Sequence, residues 1–242
     1  MIGKLEVVAD DTALAQAAAE RFIAAASGAI GERGRFNVAL AGGSTPKAMY
    51  ALLRESPLRE RVDWEKVSFY FGDERCVMPD HPDSNYGMAH QNLFEPLELT
   101  EEWVYRMRGE MDPVDAAGEY EDLIKKMLGP SPAFDLILLG MGPDGHTASL
   151  FPGTLDQIQG DWLVASIYNQ KLNSHRITLT PRTINAARSI LVVAGGANKA
   201  EALAHVLTGP REPDLYPAQL LHPEHGTLTW LVDRAAAKGL AE

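Results

Sequence analysis

The sequence predicts an α/β fold, with a single doubly wound, mostly parallel sheet and helices on both faces. Short and nearly continuous apolar runs alternate with longer stretches of helical periodicity. Apolar runs of this kind are typical of strands buried on both faces, and helices between them imply parallel crossovers. No internal repeat or low-complexity segment interrupts the alternation, so we expect one domain over residues 1–242.

The elements can be assigned in order along the chain. An alanine-rich stretch predicts the first helix over 13–26. RFNVALAGG then predicts a strand and STPKAMYALLRE a helix, where Ser44 or Thr45 can cap the helix and Pro46 suits its first turn. Further strands are predicted in KVSFYFGDE, FDLILLG, WLVASIY, RITLT, RSILVVAGG and GTLTWLVD. Further helices are predicted in SNYGMAHQNLF, PVDAAGEYEDLIKKML and ANKAEALAHVLTG, and residues 209–226 predict a long loop.

Four of the predicted strands end in glycine-containing loops. In a doubly wound sheet, ligands bind at the carboxyl ends of the strands. We therefore expect these loops to converge on one site. Their glycines are Gly42 and Gly43, Gly72, Gly140 and Gly142, and Gly195 and Gly196.

Composition excludes several classes of protein. The 242 residues are 45% hydrophobic and 23% charged, which is typical of a soluble globular chain. A formal net charge of -11 disfavours general binding to nucleic acid or to anionic membranes. Cys76 is the only cysteine, no apolar run approaches the roughly 20 residues of a membrane span, and the N-terminal residues lack a secretory pattern. We therefore expect a cytoplasmic protein.

The segment LAGGSTPKAMY combines two glycines with two hydroxyls at a helix start. Gly42 and Gly43 allow the backbone to approach a ligand, and Ser44 and Thr45 lie where free N–H groups and the helix dipole favour a phosphate. The spacing is not that of a Walker A motif. The alternative is an ordinary strand-to-helix turn with a capping serine.

Charged residues follow the strand in FGDERCVMPDHPDSNYG. Arg75 can bind an anion or a developing oxyanion, and Asp73 can orient a partner or move a proton. The alternative is a salt-bridged surface loop. His81 and Asp83 lack the spacing of a metal site, so no metal is expected. Cys76 is expected to be a buried small hydrophobe rather than a reactive thiol.

The segment LLGMGPDGHTASLFPG supports two interpretations. Its G-x-G-x-x-G spacing resembles a dinucleotide fingerprint, but that motif opens the first strand–helix unit of a fold, whereas here several units precede it. Asp144, Gly145 and His146 instead predict a loop that presents an acid–base group, because histidine exchanges protons near neutral pH. We prefer the second interpretation. The alternative is a histidine that only hydrogen-bonds within its loop.

Three cations lie close to the ends of later predicted strands. Lys171, Arg176 and Lys199 can form a local anion site in an otherwise acidic protein. Any one of them alone would instead be interpreted as a solvated surface residue.

These segments together resemble one family. LAGGSTPKAMY, FGDERCVMPDHPDSNYGMA, LLGMGPDGHTASLFPG, RITLTPRTINAAR, VVAGGANKAEAL and LTWLVDRAAA occur in the order seen in 6-phosphogluconolactonases and glucosamine-6-phosphate deaminases. The resemblance implies a Rossmann-like fold of the sugar-phosphate isomerase type. Deaminases have a segment like IAFNEP, with a glutamate, where this chain has TASLFPG, and resemble MDEYVG where this chain has GDERCV. Both departures favour the lactonases.

The resemblance implies a reaction and a set of residues. The reaction is hydrolysis of 6-phospho-D-glucono-1,5-lactone to 6-phospho-D-gluconate in the oxidative pentose phosphate pathway. His146 is implied as the acid–base residue, with Asp144 or Asp73 orienting it. The implied phosphate ligands are the turn of Gly43, Ser44 and Thr45 together with Arg176 and Lys199, while Arg75 and Lys171 are candidates for the phosphate or the oxyanion.

No metal or organic cofactor is implied, and the expected partner is the small sugar-phosphate lactone alone. We expect a monomer or a small homo-oligomer. Three rival functions remain open. They are a sugar-phosphate isomerase or deaminase, a sugar-phosphate sensor, which would need a DNA-binding segment, and a dehydrogenase, which would need NAD(P).

Overall fold

The computed structural model describes residues 3–240, so the outermost two residues at each end of the predicted domain lie outside the described part. It contains nine strands in these residues. They are β1 (Lys4–Val8), β2 (Phe36–Leu40), β3 (Val67–Phe71), β4 (Asp73–Arg75), β5 (Leu136–Leu139), β6 (Val164–Asn169), β7 (Ser174–Leu179), β8 (Ser189–Ala194) and β9 (Thr227–Asp233). The α-helices are α1 (Asp11–Arg33), α2 (Ser44–Leu53), α3 (Asn85–Ala89), α4 (Pro113–Leu128), α5 (Pro181–Asn185), α6 (Ala200–Thr208) and α7 (Arg234–Ala237).

Six strands form one fully parallel sheet in the order β1-β9-β8-β5-β2-β3. Successive side chains of its strands point to opposite faces, so Leu136 and Leu138 enter one apolar cluster while Ile137 and Leu139 enter another. The first cluster is covered by α1, α2 and α3, and the second by α4, α5, α6 and α7. The doubly wound fold with helices on both faces is therefore confirmed.

A second, smaller sheet is antiparallel, in the order β4-β7-β6. Gly72 connects the two sheets, because its N–H donates to the Leu40 carbonyl of β2 and its carbonyl accepts from the Leu179 N–H of β7. The sequence predicts β6 and β7 but not β4, whose three residues Asp-Glu-Arg carry no apolar pattern.

The ends of several helices differ from the prediction. The first helix runs over Asp11–Arg33, because Asp10 caps it through the Ala13 N–H and Gly34 ends it in the left-handed conformation. The predicted helix over 84–94 is α3 followed by a π-helical turn, His90–Phe94. Residues 209–226 are irregular apart from the short 3₁₀ turn Pro217–Leu220, as the sequence predicts. Among the described residues, the helices are too short or too polar to cross a membrane.

Candidate active site

A cleft of about 230 Å³ lies at the carboxyl edge of the parallel sheet. The loops after β2, β5 and β8 line it together with β4, which follows β3, so the predicted convergence is seen in the structure. Its volume is below the roughly 300–1,000 Å³ of drug-sized ligand pockets, which suits a small metabolite rather than a dinucleotide. The predicted site residues that line it are Gly42, Gly43, Ser44, Thr45, Asp73, Arg75, His146 and Lys199.

The loop after β5 presents the His146 imidazole to the cleft. It begins with a tight turn in which the Gly145 N–H donates to the Gly142 carbonyl at 3.1 Å, and the Gly142 N–H donates to the His146 carbonyl at 2.8 Å. The Thr147 hydroxyl donates to the Gly140 carbonyl at 2.8 Å and so connects the end of this turn to its start. The imidazole also packs against the ring of Phe151, with 4.7 Å between the ring centres.

Two glycines make this turn possible. Gly145 has φ +75°, a conformation that residues with a side chain rarely adopt. Gly142 lies directly beneath the imidazole, since a Cβ there would be 2.0 Å from His146 Nδ1. The glycine spacing that resembles a dinucleotide motif therefore serves the histidine turn.

Asp144 holds the imidazole in place. Its Oδ1 lies 2.5 Å from His146 Nδ1 and also accepts the His146 backbone N–H. Burial opposes ionisation of Asp144, but the hydrogen bond and the charge of His146 outweigh it and hold the pKa of this carboxyl at about 2. A carboxylate here accepts from Nδ1–H, which leaves Nε2 as the nitrogen available for proton transfer.

Asp73 lines the cleft, but its carboxylate is hydrogen-bonded to residues other than His146. Its Oδ2 accepts the Ser149 hydroxyl at 2.6 Å, and its Oδ1 accepts the Asn85 side-chain amide at 3.2 Å. The residue is 9% exposed, and its carboxylate bonds to residues of two different segments. Asp73 therefore ties β4 to the His146 loop and to the start of α3.

Glu74 points away from the cleft because neighbouring residues of a strand face opposite sides. Its carboxylate accepts the backbone N–H groups of Asn85 and Tyr86 at the start of α3, the Arg75 N–H and the Ser84 hydroxyl. Burial raises the pKa of Glu74, and these bonds oppose the rise. Its place in the structure is that of a helix cap.

Arg75 and Arg176 form a pair of cations beside the cleft. They are directly opposite in the β4–β7 pairing, and no carboxylate of residues 3–240 forms an ion pair with either. The Arg75 Nη1 donates to the Asp83 carbonyl, while its buried Nε has no hydrogen-bond partner among the described residues. Burial and the facing Arg75 guanidinium lower the pKa of Arg176, as expected for two close positive charges.

The start of α2 and Lys199 give the cleft a second positive region. Helix α2 begins after Gly43, and in the described structure no side chain caps its first turn. Because the first residues of α2 line the cleft, the free N–H groups of the helix N-terminus are available to a ligand there. Lys199 lines the cleft as well. Burial lowers the pKa of Lys199, and the negative charge of Asp144 partly offsets this effect.

Two predicted cations lie outside the lining of the cleft. Lys171 is in the exposed turn between β6 and β7. Arg176 is paired with Arg75 across β4 and β7, and its Nη1 donates to the Ser174 hydroxyl. Burial raises the pKa of the Cys76 thiol to about 11, which suits a structural rather than a reactive cysteine.

Sequence reasoning missed Asn85 and Ser149. The SNYG segment predicts only a helix cap, and TASLFPG only a turn, so neither signals a bond to Asp73. Residues 3–240 hold no cluster of three or more side chains suited to a metal ion.

The chain is similar to known proteins over most of its length. The family described as glucosamine-6-phosphate isomerases/6-phosphogluconolactonase matches residues 9–230. A 6-phosphogluconolactonase of Synechocystis sp. is 41% identical over 217 residues, covering 88% of both chains, and one of Nostoc sp. is 38% identical over 242 residues, covering 98% of both. The solved 6-phosphogluconolactonase from Trypanosoma cruzi has a TM-score of 0.87 at 30% identity, covering 99% of this chain and 97% of that one.

These matches place the chain in a known group of proteins. The family match spans nearly the whole described chain, and the relatives share well over 30% of their residues across most of their own length. The chain belongs to the glucosamine-6-phosphate isomerase/6-phosphogluconolactonase family.

Proposed function

We propose that this chain hydrolyses 6-phospho-D-glucono-1,5-lactone to 6-phospho-D-gluconate, a step of the oxidative pentose phosphate pathway, and does so in the cytoplasm. The observation that carries the proposal is the His146 imidazole, which Asp144 holds in place and which lines a small cleft together with Arg75 and Lys199. The names of the curated relatives support the same substrate.

His146 acts as the general base in the first step. Its Nε2 takes a proton from a water molecule as the water oxygen attacks the lactone carbonyl carbon. Asp144 keeps the Nδ1 proton in place and stabilises the imidazolium that forms. The carbonyl oxygen becomes an oxyanion, and the Arg75 guanidinium on the cleft wall is the cation we assign to it.

His146 acts as the general acid in the second step. The tetrahedral intermediate collapses, the bond between the carbonyl carbon and the ring oxygen breaks, and the imidazolium returns its proton to that oxygen. The products are the open-chain acid and a neutral imidazole ready for the next cycle. The His146 side chain makes every proton transfer in these two steps.

The phosphate of the substrate binds at the start of α2 and at Lys199. The Gly43, Ser44 and Thr45 backbone at the start of α2 supplies N–H donors, and Lys199 supplies a positive charge. Arg176, paired with Arg75 across β4 and β7, adds to the positive electrostatic potential, and we keep Lys171, in the exposed β6–β7 turn, as a further candidate. Asp73 positions Ser149 and Asn85 rather than moving a proton.

The lactonase fits this site better than the deaminase does. Deaminases resemble IAFNEP after their histidine, so their glutamate corresponds to Phe151 here. Phe151 is an apolar ring packed on the imidazole, and it offers no second acid. The small cleft and the histidine turn also disfavour a dehydrogenase.

The test follows loss of the lactone, generated in place by oxidising glucose 6-phosphate, against the spontaneous rate. We expect the intact protein to accelerate hydrolysis, and His146→Ala to lower kcat by about 10²–10⁴-fold because the general base is gone. Asp144→Asn should give a smaller loss in the same direction. The control is His225→Ala, which alters an exposed histidine outside the cleft.

The proposal fails if the intact protein leaves the spontaneous rate unchanged. Ammonia release from glucosamine 6-phosphate would then point to the deaminase. If His146→Ala keeps full activity, the lactonase stands but the role of the histidine does not.

A further inference from the structure

The proline-containing segment 209–226 has no part in the chemistry described above, yet it is firmly held. Gln219 is buried in it, and its side chain is fully bonded. The Oε1 accepts the Glu212 N–H at 2.6 Å, and Nε2 donates to the carbonyls of His205 and Pro210. These bonds fix the segment against the C-terminal end of α6.

The same segment supports the histidine turn from behind. The Ala218 N–H donates to the Gly145 carbonyl at 2.9 Å. The Tyr216 ring lies against Gly145, since a Cβ on that glycine would be 2.8 Å from Tyr216 Cδ1 and 3.3 Å from Tyr216 Cα. Gly145 and His146 are adjacent, so this contact bears directly on the imidazole.

Tyr216 also contacts the helix beyond it. Its ring stacks on the His205 imidazole of α6, with 4.7 Å between the centres and 7° between the planes. Lys199 immediately precedes α6. Tyr216 is thus packed between the turn that carries His146 and the helix that follows Lys199.

We propose that Tyr216 is a positioning residue, whose ring sets the separation between the His146 imidazole and the Lys199 ammonium. This inference rests on the proposed function, because the two groups are assigned there to the carbonyl end and the phosphate end of one substrate. A rigid ring suits the role, since it fills the space between turn and helix without side-chain freedom. A shift of the imidazole costs rate more than affinity, because the phosphate contacts persist while the reacting atoms lose alignment.

The test compares Tyr216→Ala with Tyr216→Phe. We expect Tyr216→Ala to lower kcat by about 10–100-fold while binding of 6-phosphogluconate changes only a few-fold. Tyr216→Phe should restore kcat, because the stacking ring is kept and the hydroxyl makes no hydrogen bond among the described residues. Leu215→Ala is the matched control, an exposed neighbour in the same segment.

A second readout does not depend on activity. In the intact protein, the Nδ1 proton shared with Asp144 should give a downfield resonance in the proton NMR spectrum, one that His146→Ala removes. We expect Tyr216→Ala to weaken or shift this resonance and Tyr216→Phe to keep it. If the intact protein lacks lactonase activity, the resonance still decides the positioning role.

Unchanged kcat and an unchanged resonance in a folded Tyr216→Ala variant would overturn the inference, as would a lower melting temperature without any change in kcat. If Tyr216→Ala does not fold, His205→Ala takes its place, because it removes the other face of the stack and keeps the His205 carbonyl. A His205→Ala variant with full kcat and the intact resonance would also overturn it.

Discussion

At the scale of single residues, the position of the His146 imidazole depends on the absence of a side chain at Gly142. Gly142 lies beneath His146, and a methyl group there would overlap Nδ1 and come within 2.6 Å of Asp144 Oδ1. We expect Gly142→Ala to push the imidazole out of line and lower kcat by about 10²-fold, with a small change in product binding. Steady-state kinetics together with 6-phosphogluconate titration would measure both.

Gly118→Ala is the control for the added methyl. A Cβ at Gly118 meets no atom within 4 Å, and the residue lies inside α4, so alanine should leave kcat unchanged and stabilise the helix slightly. If Gly142→Ala matches Gly118→Ala in kcat, the imidazole does not depend on this contact.

The choice between Asp144 and Asp73 also belongs to this scale. The sequence leaves both open as the partner of His146, because hydrogen bonding inside a loop depends on dihedral angles that no periodicity encodes. In the structure, Asp144 bonds to Nδ1, while Asp73 is bonded to Ser149 and Asn85. The assignment of Arg75, Lys171, Arg176 and Lys199 to oxyanion or phosphate stays a prediction.

At the scale of elements, one carboxylate ties α4 to the small sheet. Glu121 accepts the backbone N–H groups of Leu163 and Val164 at the start of β6, and the Lys125 ammonium. Burial raises the pKa of Glu121, but these bonds outweigh burial and bring the pKa below its usual value. Such a group stabilises the fold above its unfolded pKa, and the contribution is lost as the pH falls through the folded pKa.

We therefore expect Glu121→Gln to lower the free energy of unfolding by about 1–2 kcal/mol at pH 7, since it removes charged hydrogen bonds. The difference from the unaltered protein should shrink as the pH falls below the ordinary glutamate pKa of about 4.3 and on through the lower pKa of the folded state. Denaturant unfolding at pH 7 and at pH 3.5 measures it. Glu119→Gln, on the exposed face of the same helix, should change little at either pH, and a Glu121→Gln loss that is equal at both pH values would contradict the role of ionisation.

Elements with a sustained apolar period are predictable from the sequence, and elements that are very short or lack such a period are not. The strands of the parallel sheet from β2 onward and α4 follow directly from hydrophobic patterning. The short β1 edge was not predicted, because its residues are partly exposed and Lys4 and Glu6 alternate with Leu5 and Val7 over only five positions. Strand β4 exists because β7 supplies its hydrogen-bond partners from about 100 residues further along, a tertiary cause that local pattern does not contain.

At the scale of the whole molecule, a buried carboxylate that stabilises the fold and the candidate active site lie at opposite ends of the strands of the parallel sheet. Asp135 is buried at the amino edge, where it accepts from the Asn37 N–H and the Arg33 guanidinium. We expect Asp135→Asn to lower the free energy of unfolding by about 1–3 kcal/mol, while kcat/KM at the carboxyl edge stays within twofold. Thermal unfolding and lactone kinetics on the same preparation measure both.

Asp161→Asn is the matched control, because that carboxylate is almost fully exposed and should change neither quantity. A large fall in kcat/KM for Asp135→Asn at a temperature where the variant is folded would show that the two edges are coupled.

The bond pattern of Gly72 has a consequence for how substrate is selected. Gly72 is hydrogen-bonded to β2 in the large sheet and to β7 in the small sheet, so the strand that carries Arg75 is anchored by backbone bonds to the strand that leads into α2. The separation between Arg75 and the start of α2 is therefore set by backbone hydrogen bonds. On the proposed function, we expect sugar phosphates whose carbonyl and phosphate are separated by a different distance to fit the cleft less well.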